Sequence, residues 1–253
     1  MYPLGKQFSI DNSKSRPEEK AIYKGPNYRI SIITERVVRL EYSPDGKFVD
    51  SPTQLIQTRN LGYPNFRVNQ DQNILEITTK YFRLTYLKRQ PFIGTKLDPT
   101  KNLKITLLSR DPARQKDWYF NHPEARNMAG NMVSIDVPCS KILQRGLYSL
   151  DGFASINDTP NKLLNVDGTM FDRDPNSIDV YVFMYDYDYK QALLDYFKMT
   201  GYPELIPRYA LGNWWSRNIE YDDEKITSLV KHFEKKKIPL SILLLDNDWH
   251  YRN

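Results

Sequence analysis

The sequence predicts a mainly β protein, an antiparallel β-sandwich followed by a parallel strand–helix–strand unit. Two observations predict this order. Short segments that alternate apolar with polar residues fill residues 1–186, whereas residues 209–253 hold an amphipathic helix between two continuous apolar runs. We therefore predict three segments: a sandwich domain at 1–186, a helix and proline-rich linker at 187–208, and an α/β domain at 209–253.

The predicted strands of the sandwich are rich in branched and aromatic residues. Clusters of Gly, Pro, Asn and Asp separate them and favour turns. Alternation of this kind is typical of antiparallel sheets with one face in water. The strands are predicted at residues 28–34, 36–42, 73–79, 80–87, 103–108 and 178–185.

Helix signals mark the change of pattern after the sandwich. Asp188 is predicted to cap a helix that ends before Gly201, and Asp222 or Asp223 to cap a second helix that reaches Lys237. The apolar runs 209–215 and 238–245 flank the second helix and are typical of strands buried on both faces. Together they predict a βαβ unit with a right-handed crossover.

Functional side chains of such units collect where the parallel strands end. Trp215 ends the first apolar run and Arg217 comes two residues after it, and Asp246 and Trp249 follow the second run. Aromatic faces stack on pyranose rings, and carboxylates accept hydrogen bonds from hydroxyl groups. An acid directly after a buried leucine run is costly without a task or a partner. Asp246 is therefore the leading candidate for a binding residue.

Composition and charge exclude several classes of function. The net charge of +5 is scattered, and the only basic run, 235–237, closes a predicted helix, so no nucleic-acid partner is expected. The absence of an 18-residue apolar run and of a signal-peptide pattern predicts a soluble cytoplasmic protein without a membrane partner. Cys139 is the only cysteine and the three histidines lack ligand spacing, so no disulfide and no cysteine or histidine metal site is expected.

Residues 201–250 resemble the start of the catalytic domain of glycoside hydrolase family 31. That family has a proline-rich lead-in, then A-L-G-x-W-x-S-R, a helix, I-P-x-D, and a hydrophobic strand that ends in D-x-D-W. The matching residues are Pro203, Pro207, Ala210, Leu211, Gly212, Trp214, Ser216, Arg217, Tyr221, Ile238, Pro239, Asp246, Asp248 and Trp249. Ser241 departs from the pattern, because the family usually has Asp after I-P-L.

Two upstream segments are similar to the same family. Residues 127–136 (NMAGNMVSID) resemble N-L-x-G-T-x-R-T-L-D, and residues 146–159 (GLYSLDGFASINDT) resemble G-L-L-S-R-D-G-W-x-x-x-D-D-S. The second segment departs at Leu150, Phe153 and Asn157, which are Arg, Trp and Asp in the usual pattern. Residues 1–110 match only in being rich in β-strand.

The resemblance implies a galactose mutarotase-like sandwich followed by the first β-α-β of a TIM (β/α)8 barrel. It also implies retaining hydrolysis of terminal α-glucosides or α-xylosides, with an α-linked oligosaccharide or glycoside as partner. The resemblance implies no cofactor or metal, because such chemistry uses water and two carboxyl groups about 5–5.5 Å apart. The family supplies them from later strands, in a motif like W-x-D-M-N-E and a further Asp. Neither motif occurs in these residues, so no catalytic residue is predicted in this chain.

By motif position, the resemblance gives two residues a role in substrate binding. Asp246 would hold hydroxyl groups of the sugar at the cleavage point, and Asp136 would do the same from a loop of the sandwich. Trp215, Arg217 and Trp249 are weaker candidates at the same rim, and packing or ion pairing explains each of them equally well.

Two parallel strands and one helix cannot close a barrel. We therefore expect a truncated chain that is inactive alone, and that self-associates or leaves its last forty or so residues poorly protected. Two alternatives stay open. One is a non-catalytic carbohydrate-binding or assembly module. The other is an active mutarotase, for which His122 and Glu124 are the nearby acid–base pair.

Overall fold

The computed structural model describes residues 5–88, 91–92, 102–109, 111, 113, 116–130 and 144–245. The chain divides into two compact units, residues 1–202 and residues 203–253. Asp136, Asp246 and Trp249 lie outside the described residues. The three segments predicted from the sequence stay a prediction.

The first unit contains two five-stranded antiparallel sheets, which confirms the predicted sandwich. The first sheet consists of β1 (Ile22–Lys24), β2 (Tyr28–Thr34), β3 (Val37–Tyr42), β9 (Phe153–Asn157) and β12 (Ile178–Met184). The second consists of β4 (Phe66–Gln70), β5 (Ile74–Thr79), β6 (Phe82–Leu87), β7 (Leu103–Leu107) and β8 (Asp117–Tyr119). A separate short pair is formed by β10 (Leu163–Leu164) and β11 (Met170–Phe171).

Strand order differs between the two sheets. The second sheet follows the chain from β4 to β8, whereas the first has the order β1-β2-β3-β12-β9. β3 therefore pairs with a strand that begins far along the chain at Ile178. Each of the six predicted strands is present, with its ends shifted by two residues at most.

The main core lies between the facing sides of the two sheets. Ile30, Leu40 and Val182 contribute from the first sheet, and Leu84 and Ile105 contribute from the second. All five are fully buried. Because side chains alternate across a strand, the apolar positions of the sequence pattern point inward together.

The outer face of the first sheet is also covered, so the prediction of one wet face per sheet is wrong for this sheet. Helix α1 (Tyr189–Thr200) packs Ala192 and Met199 against Tyr181 and Phe183 of β12. Ile56 adds to this second core. The second sheet does keep the predicted alternation of buried and more exposed positions, as in β6.

The covered face carries buried charges at the polar positions of the strands. Arg39 donates from Nε and Nη2 to the two carboxylate oxygens of Asp179 at 2.9 and 2.7 Å. Arg29 makes a similar pair with Glu41 at 2.6 and 2.8 Å. Pairing and hydrogen bonding offset the large cost of taking such charges out of water.

Helix α1 begins and ends at the predicted residues. The Asp188 side chain accepts from the Gln191 N–H at 3.2 Å, which caps the first turn. Gly201 has a φ of 97° and its N–H donates to the Phe197 carbonyl at 2.8 Å. Glycine adopts a positive φ without strain, so the helix ends there.

The second unit contains β13 (Trp214–Ser216), α2 (Asp223–Lys235) and β14 (Ile242–Leu244). The two strands pair in parallel, which confirms the predicted strand–helix–strand unit. Asp222 caps α2 by accepting from the Lys225 N–H at 2.7 Å. Across the described part of the chain, neither helix has the length and apolar character that crossing a bilayer demands.

Both strands of the second unit are shorter than predicted. Arg208–Leu211 forms a 3-10 turn, and the indole N–H of Trp214 donates to the Ala210 carbonyl at 2.9 Å. After α2, the Ile238 N–H donates back to the Phe233 carbonyl at 3.0 Å, so the next residues complete the helix end. The periodicity of a continuous apolar run does not show whether its residues form a turn or a strand. This explains why both strands are shorter than predicted.

Candidate functional site

The carboxyl ends of β13 and β14 lie at one edge of the parallel pair. Trp215 is in register with Leu243, and Ser216 with Leu244. Arg217 follows the first strand at that edge, as the sequence predicted. Asp246, the second residue after β14 in the sequence, lies outside the described residues.

Trp215 is partly buried and packs against helix α2. Its ring lies 5.3 Å from that of Phe233 in an edge-to-face arrangement with an interplanar angle of 72°. Its indole N–H points to the Tyr221 hydroxyl at 3.5 Å. These contacts favour packing, which was one of the two explanations open for Trp215.

Arg217 is exposed at the end of β13. No described carboxylate forms an ion pair with its guanidinium group, so none of them holds its charge in place. A guanidinium in this position can donate several hydrogen bonds to sugar hydroxyls. Its predicted role in binding therefore remains compatible with the geometry and stays a prediction.

The segment that carries Asp136 is anchored at both ends by described residues. The Asn127 side chain accepts from the Gly146 N–H at 2.9 Å and donates to the Gly146 carbonyl at 2.9 Å. The Gly130 N–H also donates to the Gln144 carbonyl at 2.6 Å. These bonds join residues 127–130 to residues 144–146, the described residues on either side of the segment.

Gly146 is required by the close approach of the two sides of this anchor. A Cβ atom at Gly146 would lie 2.5 Å from the carbonyl oxygen of Ala129, which is too close for any other residue. Ala129 itself has a φ of 66°. Asn127 and Gly146 each open an upstream segment that resembles the family, but no role is predicted for them from the sequence. Their position at the start of the two matched segments is the signal that could have indicated the anchor.

Glu124 is buried and its carboxylate is engaged by the fold. It accepts from the Trp118 indole N–H at 3.2 Å, from the Ser155 N–H at 2.9 Å and from the Ser155 hydroxyl. Burial raises the pKa of Glu124, although these hydrogen bonds act in the opposite direction. His122 accepts the Glu124 N–H on Nδ1 at 2.9 Å, and its ring packs on Phe153. Neither side chain is arranged as an open acid–base pair, so the geometry lends the mutarotase alternative no support.

Asp158, in the second matched segment, is fully buried. Its two oxygens accept from the Thr53 hydroxyl at 3.0 and 2.9 Å, and one accepts from the Asn161 amide at 2.7 Å. Burial, followed by the nearby charge of Asp179, raises the pKa of Asp158 to about 6. This carboxyl group holds the chain near Thr53 against the first sheet.

The described side chains include no cluster of three or more His, Cys, Asp or Glu residues suited to a metal ion. The described chain thus defines a protein in which an antiparallel sandwich precedes a parallel α/β unit. Of its binding candidates, Trp215 and Arg217 lie at the carboxyl end of β13.

Comparison with known proteins finds a family match for the second unit. Residues 203–253 match the model of the glycosyl hydrolases family 31 TIM-barrel domain. An α-xylosidase of Saccharolobus solfataricus is 39% identical over 74 residues, which cover 29% of this chain and 10% of that protein.

Two solved structures share the fold. A family 31 dextranase of Flavobacterium johnsoniae, complexed with isomaltotriose, matches with a TM-score of 0.56 at 20% identity, covering 90% of this chain and 32% of that one. A family 31 α-xylosidase from a soil metagenome, complexed with xylose, matches with a TM-score of 0.58 at 11% identity, covering 92% and 41%. This chain therefore spans less than half of either structure. The comparisons confirm the resemblance to glycoside hydrolase family 31, with the family model matching residues 203–253.

Proposed function

We propose that this chain forms the N-terminal sandwich and the first barrel strands of a retaining α-glycosidase that hydrolyses terminal α-glucosides or α-xylosides. The parallel pairing of β13 and β14 carries the proposal. It brings together the ends of the two strands on which the family-like motifs fall, within the residues that match the family model. The α-xylosidase relative and the xylose and isomaltotriose complexes support this class of substrate.

In this proposal the chain positions substrate and does not supply the reacting carboxylates. Asp246 accepts hydrogen bonds from the sugar at the cleavage point, and Asp136 does so from the segment anchored by Asn127. Arg217 donates to hydroxyl groups from the end of β13. The nucleophile and the acid/base, about 5–5.5 Å apart in a retaining enzyme, come from barrel residues other than these 253.

The test compares two proteins on p-nitrophenyl α-glucoside and p-nitrophenyl α-xyloside. One is the 253-residue chain, and the other is the product of the whole reading frame. We expect hydrolysis by the longer protein only. Turnover by the short chain would contradict the proposal, because some pair of carboxylates within it would then have to be catalytic.

A second measurement tests the role of Asp246 in the longer protein. Asp246→Ala should lower kcat/KM by roughly 100-fold or more, since hydrogen bonds to sugar hydroxyls strengthen in the transition state. Asp223→Asn is the matched control, because this exposed carboxylate lies in the first turn of α2. Equal activity of the two variants would remove Asp246 from the site.

A further inference from the structure

A cavity of about 640 Å³ opens at one end of the sandwich, within the first unit. Four chain reversals line it, the turns after β2, β5, β7 and β12. Its volume is within the range of pockets that bind small ligands. None of its lining residues was singled out as a candidate from the sequence.

One wall of the cavity is built around Arg36. Its guanidinium lies 3.8 Å from the centre of the Tyr81 ring, a stacked cation–π contact. It donates to the Tyr185 carbonyl at 3.0 Å and pairs with Asp188 at 3.0 Å. Arg36 is thus held by three groups at once, and the wall is pre-organised.

The adjoining wall is a strained turn at Asp186. This residue has a φ of 55°, in the left-handed region that glycine adopts more easily. Gly152 fixes the turn, because a Cβ atom there would lie 2.7 Å from the Asp186 carbonyl oxygen. The Ser109 hydroxyl donates to one carboxylate oxygen at 3.0 Å, and the other is shielded without a hydrogen-bond partner. Strain and an unsatisfied acceptor in one turn are features that cluster at ligand sites.

The turn presents Tyr187 and Asp188 to the cavity. The Tyr187 side chain is 40% exposed, and its hydroxyl donates to the Leu150 carbonyl at 3.2 Å, which orients the ring. An oriented, exposed tyrosine beside carboxylates is suited to the apolar face and the hydroxyl groups of a pyranose.

Charge decides the class of ligand. The lining includes two cations, Arg36 and Lys80, and three carboxylates, Asp111, Asp186 and Asp188. This mixture of charges does not strongly repel a ligand of either sign, and it offers both donors and acceptors of hydrogen bonds. A neutral polyhydroxylated ligand fits it better than a phosphate, a sulfate or a polyamine does.

We propose that this cavity is an accessory binding site for a neutral α-linked oligosaccharide, formed by the sandwich alone. The inference rests on the proposed function only for the choice of an α-linked sugar. Such a site would keep substrate near the enzyme without taking part in bond cleavage.

The test is a titration of the ¹⁵N-labelled 253-residue chain with isomaltotriose, followed by the backbone amide resonances. We expect saturable shifts at residues 80–81, 107–109 and 185–188. Tyr187→Ala and Asp188→Asn should each weaken binding by about tenfold, through loss of stacking and of a charged acceptor. Asn still caps α1, and spectra of both variants report whether they remain folded.

Tyr63→Ala is the matched control, because Tyr63 is 58% exposed, has a ring neighbour in Phe66 and lies outside the cavity. It should bind isomaltotriose as the unaltered chain does. Absence of shifts at the cavity up to the solubility limit of the sugar would overturn the proposal. Tighter binding of a sulfated saccharide of equal length would also overturn it, in favour of an anion site.

The same titration separates this inference from the proposed function. Shifts confined to residues 203–245 would remove the accessory site and leave the proposed glycosidase untouched. Shifts at the cavity, with no hydrolysis by the longer protein, would support the accessory site and remove the proposed function.

Discussion

Arg39 and Asp179 form a two-bonded ion pair in which both side chains are completely shielded from solvent. The pair joins β3 to β12 on the outer face of the first sheet. Glu41 and Arg173 extend it, at 3.0 Å from Arg39 and 2.9 Å from Asp179. Removal of either Arg39 or Asp179 leaves the other charge in the interior without its main partner.

Arg39→Met should therefore lower the free energy of unfolding by about 3–5 kcal/mol, the usual effect of breaking a buried pair. Urea unfolding followed by circular dichroism measures this change. Arg16→Met is the matched control, because the Arg16–Glu19 pair is exposed, and less than about 1 kcal/mol is expected there. Equal effects of the two variants would show that the buried pair contributes no more than a surface pair.

Asp158 should make stability depend on pH. Its folded pKa is raised from 3.8 to about 6, so the folded state favours the protonated carboxyl group. The stabilisation from protonation is complete below about pH 4 and is lost as pH rises through 6. Relative to the unaltered chain, Asp158→Asn should gain up to about 3 kcal/mol between pH 4 and pH 8.

Urea unfolding at intervals across that pH range measures the difference between the two proteins. Any constant offset from altered hydrogen bonds to Thr53 does not affect the slope. Asp172→Asn is the control, since its side chain is 81% exposed. A difference that stays flat from pH 4 to pH 8 would mean that Asp158 titrates at an ordinary pKa.

The anchor formed by Asn127 and Gly146 should matter for both stability and binding. Asn127→Ala removes the two hydrogen bonds of 2.9 Å to Gly146 and a third of 2.9 Å from the Ala129 N–H, and should cost about 1–3 kcal/mol in unfolding. In the longer protein it should also raise KM for the glycoside, because Asp136 lies on the anchored segment. Asn69→Ala, at an exposed position of β4, is the control for both measurements.

An unchanged KM in the Asn127 variant, together with reduced stability, would restrict the anchor to a structural role. An unchanged stability would mean that the backbone bonds at Gly130 suffice to hold the two sides together.

Trp215→Ala should loosen the second unit by removing the ring contact with Phe233. A loss of about 1–3 kcal/mol is expected for a partly buried indole, with faster amide exchange along α2. Trp215→Phe keeps an aromatic ring against the helix and should retain most of the protection. Unchanged exchange in the alanine variant, with weaker sugar binding, would instead support the binding role predicted for Trp215.

The second unit should drive self-association of the 253-residue chain. Leu205 is 99% exposed, and Leu211 and Tyr209 are 74% and 62% exposed, so a cluster of apolar side chains meets solvent. Sedimentation velocity should detect oligomers that diminish in a Leu205→Gln, Leu211→Gln double variant. A monodisperse monomer at high protein concentration would contradict this expectation.

Local signals explain which elements were predictable from the sequence. Helix α1 depends on a cap at Asp188 and a glycine at 201, both visible within a few residues, and it was predicted correctly. The long strands β2 and β12 carry clear alternation. The short edge strand β8 and the strand β9, which has no alternating run, were missed because only their pairing partners define them.

Non-local pairing explains what was not predictable. Arg29, Arg39 and Asp179 occupy polar positions that normally face water, and their burial depends on partners more than a hundred residues away or on another strand. Of the candidate site, the sequence placed Arg217 at the end of β13 correctly. The anchor between Asn127 and Gly146 depends on contact between two loops, which no local pattern encodes.

The different strand orders of the two sheets have a consequence for synthesis on the ribosome. The second sheet is contiguous in the chain, so β4 to β8 can pair as soon as residue 119 has emerged. The first sheet stays incomplete until β12 arrives, and its charged outer face stays open until α1 follows. The apolar surface of β2 and β3 therefore stays uncovered until residues near 200 have been synthesised. We expect a chaperone to bind the growing chain during this interval.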